Sequence, residues 1–240
     1  MEIRRGGLRP VARRLLRLVR TAPLRLAGSE KLFTDIYRRN AWLGSESCSG
    51  PGSGRAETEE LRKELPALLA ELGCRSLLDA PCGDFHWMSE TPLALETCIG
   101  ADIVPEIVER NRRRHGGGSR RFLCLDLRSA ALPRVDLVLC RDGLVHLSDR
   151  DVRRALANFE RSGSTWLLAT TFPGRPDNPP IVTGEWRPLN LEAPPFGLPP
   201  PLRRLDERYL LEDGRFADKS LGLWPLAGLA AAAGSRWRRC

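Results

Sequence analysis

The sequence predicts an α/β fold, with a doubly wound, mostly parallel sheet of about seven strands and helices on both faces. Two observations support this prediction. Short apolar runs of strand length alternate along the chain with segments in which apolar residues recur at helical spacing. The runs are also almost uninterrupted by polar residues, as is typical of strands buried on both faces of a parallel sheet.

The individual elements follow in chain order. A first helix is predicted from leucines that share one face, namely Leu61, Leu65, Leu68, Leu69 and Leu72. We expect a bend in this helix at Pro66. Five strands are then predicted, at 76–80, 97–104, 121–127, 135–140 and 164–172. Pro105 begins a helix that the glycines at 116–118 end, and Ser148 with Asp151 resembles the capping box of another helix. A final pair of strands is predicted within residues 206–226.

The segment 173–201 interrupts this pattern, because it holds ten of the nineteen prolines. A long irregular segment in a domain of this size is usually functional. We expect a lid or a wall of a ligand site there, with a surface linker as the alternative. The predicted organisation is a basic N-terminal extension (1–28), one domain (29–234) and a basic C-terminal tail (235–240).

The net charge of +8 belongs to the two ends of the chain. Residues 1–27 carry +7, whereas 28–234 hold 27 basic and 29 acidic residues. The charge of the domain therefore does not support a nucleic-acid partner, and none is expected. The N-terminal arginines leave three interpretations open: a transit peptide, a basic helix in peripheral contact with an anionic membrane, or a solvated tail.

The seven cysteines include no CxxC pair, so a zinc site or a redox dithiol is not expected. Several of them sit inside apolar runs, where a free thiol behaves as a small apolar side chain. This usage favours a reducing compartment and predicts a cytoplasmic location, with organellar targeting left open. No stretch has the apolar length of a membrane span. The oligomeric state is not predicted.

Acidic residues lie at the carboxyl ends of four successive predicted strands. They are Asp79, Asp102, Asp126 and, next to Arg141, Asp142. In an open parallel sheet, ligands bind beyond the carboxyl ends of the strands. The spacing therefore predicts that these carboxylates line one ligand site, with helix capping as the alternative for each of them singly.

The turn after the first strand favours a cofactor without phosphate. Dinucleotide turns carry three glycines to admit a pyrophosphate, whereas this turn has only Gly83 and adds the charge of Asp84. S-adenosylmethionine has an adenosine, an amino-acid end and a positive sulfonium. Carboxylates suit these groups, and the ring of Phe85, Trp87 or Trp42 could stabilise the sulfonium unless it packs in the core.

The chain resembles class I S-adenosylmethionine-dependent methyltransferases. Within them it is similar to a little-characterised group that has the motifs LDAPCGDFHWM, IGADIVPEIV, DLVLCRDGLVHLS and TGEWRPLNLEAPPF, over about 32–224. The resemblance implies a Rossmann-like sheet, with the 79–84 turn at the methionine end of the cofactor, Asp102 at the ribose and Asp126 at the adenine. The predicted cofactor-binding residues are Asp79, Pro81, Cys82, Gly83, Asp84, Trp87, Asp102, Ile103, Asp126, Leu127, Cys140 and Arg141. A further stretch, SCSGPGS at 47–53, also matches the group and either closes over the cofactor or is an exposed linker.

Methyl transfer needs a base only when the acceptor is a group such as a hydroxyl. His146 has the pKa range for that role, and Asp142 precedes it by one helical turn if the stretch is helical. These two are the predicted catalytic residues, and His86 is a second candidate base. Asp142 and His146 could also ligate a metal, but no third ligand is evident and none is expected.

The predicted acceptor is a small molecule or sugar, methylated at oxygen. The segment 173–201, with Trp186, Asn190 and Phe196, is the expected acceptor-side wall. Two other functions remain open at this point. One is a nicotinamide-dependent oxidoreductase, which the missing glycines disfavour, and the other is a non-catalytic cofactor-binding module tethered by its basic N-terminus.

Overall fold

A computed structural model describes residues 28–209 and 211–229. The predictions for residues 1–27 and 235–240 lie outside the described residues. Within the described part of the chain, no helix has the length and apolar character needed to cross a membrane.

Five helices and seven strands make up the domain over the described residues. The helices are α1 (Ser29–Arg38), α2 (Glu59–Glu71), α3 (His86–Ser89), α4 (Pro105–His115) and α5 (Asp149–Arg161). The strands are β1 (Ser76–Asp79), β2 (Thr97–Asp102), β3 (Arg120–Cys124), β4 (Leu137–Cys140), β5 (Trp166–Thr171), β6 (Arg203–Asp206) and β7 (Ser220–Pro225). Short 3-10 helices lie at Pro51–Ser53, Leu144–His146 and Glu212–Gly214.

All seven strands form one sheet in the order β3-β2-β1-β4-β5-β7-β6. The first five strands are parallel, and β7 runs antiparallel to both β5 and β6. The chain therefore runs outward from β1 through β2 to β3, and then crosses back to β4 on the other side of β1 and continues to β5. This confirms the predicted doubly wound sheet, and it brings the carboxyl ends of five parallel strands to one edge. The final pair of strands is present, but β6 lies before the predicted segment 206–226 and shares only Asp206 with it.

Each face of the sheet carries its own apolar core, because successive side chains of a strand point to opposite faces. Leu77 packs in the cluster that holds the leucines of α2 and Val108 of α4. Leu78, its neighbour, packs in the cluster that holds Leu156 of α5. Helices therefore cover both faces, and each fully buried leucine contributes about 2 kcal/mol to folding.

Local signals in the sequence fix most of the element boundaries. The Ser148 hydroxyl accepts a hydrogen bond from the Asp151 amide at 3.3 Å, which confirms the predicted cap of α5. Helix α2 continues through Pro66. Strand β2 ends at Asp102, two residues earlier than predicted, because its carboxylate takes the Val104 amide that would otherwise continue the ladder.

The segment 173–201 contains no helix or strand, as predicted, but it is not a loose loop. The buried side chain of Asn178 donates to the carbonyls of Asn190 and Pro194, both at 2.8 Å. Asn190 and Phe196 are themselves buried. The expectation that these two residues form an acceptor-side wall is therefore wrong, because Phe196 completes the core on the α5 face and Asn190 ties the segment together.

Candidate active site

A cavity opens at the carboxyl ends of the parallel strands. Nearly all predicted site residues line it: Asp79, Pro81, Cys82, Gly83, Asp84, Trp87, Asp102, Ile103, Asp126, Leu127, Arg141, Asp142 and His146. Cys140 does not, because its side chain lies fully buried in the core on the α5 face of the sheet. The prediction that Cys140 contacts the cofactor is therefore wrong. Side chains alternate along β4, and that of Cys140 points into the core.

Asp102 ends β2 with its carboxylate facing the cavity and only 7% of the residue exposed. One carboxylate oxygen accepts from the Gly83 amide at 3.1 Å and the other from the Val104 amide at 3.0 Å. Burial raises the pKa of Asp102 to about 6, although these backbone hydrogen bonds oppose the shift. Each oxygen retains acceptor capacity, so the carboxylate can bind two adjacent hydroxyl groups.

Gly83 connects this carboxylate to the turn after β1. Its backbone has a φ of +50°, which favours glycine, and its carbonyl accepts from the buried Asn111 side chain at 2.7 Å. A Cβ atom at this position would lie 2.0 Å from the Ser49 hydroxyl oxygen. The glycine therefore makes room for the 47–53 segment as well as holding the turn in a left-handed conformation.

Asp79 stands at the end of β1 and is 2% exposed. Within residues 28–209 and 211–229, no group hydrogen-bonds to its carboxylate, which lines the cavity. Burial raises the pKa of Asp79 well above its usual value, and the nearby positive charge of Arg141 opposes this only in part. An unpartnered buried carboxylate of this kind is suited to a cationic ligand group.

Asp126 presents a different environment. Arg128 binds its carboxylate through Nε at 2.8 Å, through Nη2 at 2.5 Å and through its backbone amide at 2.9 Å. Burial would raise the pKa of Asp126, but the hydrogen bonds from Arg128 hold it below its usual value. The pair forms a fixed donor and acceptor surface at the end of the cavity that Leu127 also lines.

His146 lies at the end of the 3-10 helix Leu144–His146 and lines the cavity. Its Nδ1 atom is 3.1 Å from the carbonyl oxygen of Glu185. Because a carbonyl can only accept, Nδ1 carries the hydrogen and Nε2 is the basic nitrogen. Burial lowers the pKa of His146, so the ring is neutral at physiological pH, and the Trp42 ring packs 5.0 Å from it between centroids.

Asp142 precedes this 3-10 helix in a left-handed conformation, with φ at +52°, so it is not one helical turn from His146 as the sequence suggested. Its Oδ2 atom lies 2.7 Å from Lys219 Nζ and 3.4 Å from Arg141 Nη1. Burial would raise the pKa of Asp142, but these two cations lower it to about 2. The side chain is therefore a carboxylate at neutral pH and a weak base.

Two buried residues that the sequence did not single out complete this charge network. Glu207 Oε2 accepts from Arg141 Nη2 at 2.6 Å and lies 3.1 Å from Lys219 Nζ. Both Glu207 and Lys219 are almost fully buried. They come from the end of the chain, beside β6 and β7, and no local pattern marks them as parts of the site.

The aromatic residues divide between the cavity and the core. Trp87 lines the cavity, with the Arg141 guanidinium 5.5 Å from its ring centroid, and Phe33, Tyr37 and Trp42 also contribute to the wall. Phe85 is buried against Phe122 in an edge-to-face contact, so it is a core residue.

Two other predictions concern groups outside the cavity wall. The second candidate base, His86, is not among the residues that line the cavity, and its Nε2 atom lies 3.8 Å from Glu46 Oε2. The segment 173–201 contributes no side chain to the wall. Its contribution to the site is the Glu185 carbonyl, which lies 3.1 Å from His146 Nδ1. Trp186 lies on the surface and is 44% exposed.

Residues 78–163 match the family model of a methyltransferase domain. The chain contains a methyltransferase domain. The seven-stranded, mostly parallel sheet is consistent with this match, and such a domain implies S-adenosylmethionine as the cofactor. The chain is therefore an enzyme, a methyltransferase, as the motifs predicted.

Solved structures support this fold for the methyltransferase. The N-methyltransferase NodS from Bradyrhizobium japonicum WM9, in complex with S-adenosylhomocysteine, has a TM-score of 0.56 and 13% identity over 80% of this chain and 97% of its own. Human N-acetylserotonin methyltransferase, in complex with S-adenosylmethionine, has a TM-score of 0.52 and 16% identity over 82% of this chain and 59% of its own. The methyltransferase domain of bacterial CtHen1-C has a TM-score of 0.52 and 15% identity over 71% of this chain and 99% of its own. No curated protein sequence matches the chain.

Cofactor binding to the methyltransferase should depend on pH. Ionised Asp102 is the stronger acceptor for hydroxyl groups, and protonation competes with binding below its pKa of about 6. We therefore expect the affinity for S-adenosylhomocysteine to fall as the pH decreases from 7 to 5, by up to about tenfold per pH unit. The raised pKa of Asp79 acts in the same direction. Titration calorimetry across this range measures the effect, and an affinity independent of pH would contradict it.

Replacing Gly83 with alanine should damage the methyltransferase at its cofactor turn. The left-handed conformation costs an alanine about 1 kcal/mol, and its methyl group meets Ser49 in addition. We expect a lower melting temperature together with at least about tenfold weaker binding of S-adenosylhomocysteine. Gly73 is a matched control, because it has a φ of +64° with no atom near its Cβ position and lies outside the cavity wall. Gly73→Ala should lower only the melting temperature.

Proposed function

We propose that this methyltransferase transfers the methyl group of S-adenosylmethionine to an oxygen of a small, sugar-like acceptor, with His146 as the general base. The observation that carries the proposal is the hydrogen bond from His146 Nδ1 to the Glu185 carbonyl. It leaves Nε2 as the basic nitrogen of a neutral imidazole that lines the cavity. A hydroxyl acceptor there needs a base, and a neutral amine does not.

The reaction is an in-line displacement at carbon. The acceptor oxygen attacks the methyl carbon as the bond between that carbon and the sulfonium sulfur breaks, and the electron pair of this bond stays on sulfur. His146 Nε2 takes the hydroxyl proton, so the products are a methyl ether, S-adenosylhomocysteine and a protonated His146 that later releases its proton to solvent. The chain contributes mainly alignment and exclusion of water.

Asp142 supports His146 electrostatically in this proposal. The negative charge of Asp142 favours the imidazolium that forms during proton transfer, whereas Lys219 opposes it. Because Lys219 and Arg141 keep Asp142 ionised, it cannot itself take the acceptor proton at neutral pH. Asp142 is therefore assigned to charge stabilisation and to binding the acceptor hydroxyl.

The proposed cofactor position follows the cavity from end to end. The adenine lies against Asp126 and Leu127, the ribose on Asp102, and the amino-acid end on the turn between Asp79 and Asp84, all of which line the cavity. In this placement His146 would take the proton of an acceptor hydroxyl bound beside the transferred methyl group. The near-neutral charge of residues 28–234 supports a small acceptor rather than a nucleic acid.

Methyl-labelled S-adenosylmethionine tests the acceptor class. The full-length protein is incubated with the labelled donor and a small-molecule cell extract, and the labelled product is identified by mass spectrometry and NMR. The proposal expects the label as a methoxy group on a small molecule. Label on nitrogen, on a protein or on a nucleic acid would contradict it, and the same incubation with His146→Ala controls for enzyme-independent labelling.

We also propose that the protein acts in the cytoplasm, with its N-terminal extension in peripheral contact with an anionic membrane. The unpaired thiols of the described cysteines support a reducing compartment. The +7 charge of residues 1–27 supports the membrane contact. Co-sedimentation of the full chain with vesicles tests this, since binding to anionic but not to neutral vesicles is expected, and binding to neither would contradict it.

A further inference from the structure

Residues 47–53, here called the cap segment, are fastened to the turn that follows β1. Asp84 Oδ1 accepts from the Ser47 hydroxyl at 2.8 Å, and its Oδ2 accepts from the Cys48 amide at 3.0 Å. The Asp84 amide in turn donates to the Ser49 hydroxyl at 3.1 Å. The Asp84 carboxylate is thus largely committed to the cap segment.

The other end of the cap segment is fastened to the end of β4. Arg141 Nη2 donates to the Gly52 carbonyl at 2.7 Å. The guanidinium cannot easily move, because it is buried and also bound to Glu207. Three separate stretches of the sequence, at 47–53, 81–84 and 141–142, therefore contribute to one connected wall of the cavity.

This wall and the neighbouring end of β1 present two buried polar groups that have no hydrogen-bond partner in the part of the chain that the structure describes. Ser53 is 8% exposed and lines the cavity, and its hydroxyl has no hydrogen bond with any described residue of the chain. The Asp79 carboxylate is the second such group. One is a neutral hydrogen-bond donor and the other an anionic acceptor, and Arg141, whose charge acts on Asp79, binds the residue next to Ser53.

We propose that Ser53 binds the cofactor, with its hydroxyl donating to the carboxylate of the amino-acid end while Asp79 receives the ammonium group. A zwitterionic α-amino acid is the chemical class that satisfies both unpartnered groups at once. Asp84 and Arg141 are positioning residues, since they act on the cofactor by holding the cap segment. The inference rests on the proposed placement of the methionine end at the 79–84 turn.

Ligand truncation tests the inference, because 5′-deoxy-5′-methylthioadenosine has the adenosine and sulfur of the cofactor but lacks the amino acid. Binding of this compound and of S-adenosylhomocysteine is measured for the full-length protein and for Ser53→Ala. A lost hydrogen bond to a charged group should weaken S-adenosylhomocysteine binding about tenfold or more. The affinity for methylthioadenosine should stay unchanged. Equal effects on both ligands, or no effect on either, would overturn the proposal.

Two further variants separate a local contact from a folding defect. Ser89→Ala removes a hydroxyl from α3, where it donates to the His86 carbonyl at 2.7 Å outside the cavity wall, and it should leave both affinities unchanged. Asp84→Asn should reproduce the selective loss of S-adenosylhomocysteine binding by loosening the cap segment. An Asp84→Asn variant with both affinities intact would refute the positioning role.

The same measurements distinguish this inference from the function on which it rests. If the unmodified protein binds neither ligand, the proposed cofactor site fails together with the inference. If it binds both and Ser53→Ala binds both equally well, only the role of Ser53 is refuted. The acceptor and the role of His146 do not enter either measurement.

Discussion

Replacing Asp102 with alanine should weaken binding of S-adenosylhomocysteine about 100-fold. The proposed site uses this carboxylate for two hydrogen bonds to the ribose hydroxyls, and two bonds to a charged acceptor contribute about 3 kcal/mol together. The substitution also releases the Gly83 amide, which Asp102 holds at 3.1 Å, and so loosens the turn at the amino-acid end. Isothermal titration calorimetry measures the dissociation constant directly.

Asp136 offers a matched control for this experiment. Its carboxylate also accepts from two backbone amides, those of Arg75 and Ser76, but outside the cavity wall, just before β4 and at the start of β1. Asp136→Ala should lower stability without changing the dissociation constant. If Asp102→Ala bound S-adenosylhomocysteine as tightly as the unmodified protein, the ribose assignment would be wrong.

Replacing His146 with alanine should lower kcat for methyl transfer by about 10²- to 10⁴-fold, the usual contribution of a general base. The dissociation constant for S-adenosylhomocysteine should change little, because the proposed ribose and amino-acid contacts come from other parts of the chain. Single-turnover transfer from labelled donor to the isolated acceptor measures the chemical step apart from product release.

The pH profile gives the second signature of this base. Burial lowers the pKa of His146 below its usual value of 6.5, so the rate should fall only as the pH decreases through that lowered pKa. His146→Ala should lose this acidic limb. His86→Ala, at the alternative candidate outside the cavity wall, should retain both the rate and the limb. An unchanged rate in His146→Ala would remove the base from the mechanism.

The fold and the main site could be predicted because both depend on local patterns. Apolar runs marked the parallel strands, and the carboxyl ends of such strands must meet at one edge of the sheet. The four acids Asp79, Asp102, Asp126 and Asp142 consequently line one cavity, as their positions at successive strand ends indicated. The boundaries of α4 also followed from local signals, a proline at its start and glycines after its end.

The remaining parts of the site depend on contacts between distant residues. Asp84 seemed suited to the amine or sulfonium of a ligand, but its carboxylate binds a segment more than thirty residues earlier in the chain. Lys219 lies 77 residues from Asp142, and nothing in its local sequence indicates the ion pair. The SCSGPGS stretch was the one available signal, because its serines and glycines provide the hydroxyl groups and close backbone approach that the turn requires.

The incorrect predictions have a common cause. Cys140, Asn190 and Phe196 were placed at the site from their position in the chain, but all three are buried away from the cavity. Position at a strand end predicts proximity to the site, whereas the direction of the side chain depends on strand alternation and on packing. Cys140, the last residue of β4, packs in the core, whereas Arg141, the residue after it, lines the cavity.

Equilibrium binding of S-adenosylmethionine to the full-length protein tests the central claim most directly, because every role assigned here depends on that cofactor in this cavity. Titration calorimetry at pH 7.5 should give saturable binding of one S-adenosylmethionine per chain, with S-adenosylhomocysteine competing for the same site. Absence of binding by a correctly folded sample at about millimolar cofactor, or binding that Asp102→Ala leaves intact, would contradict the account.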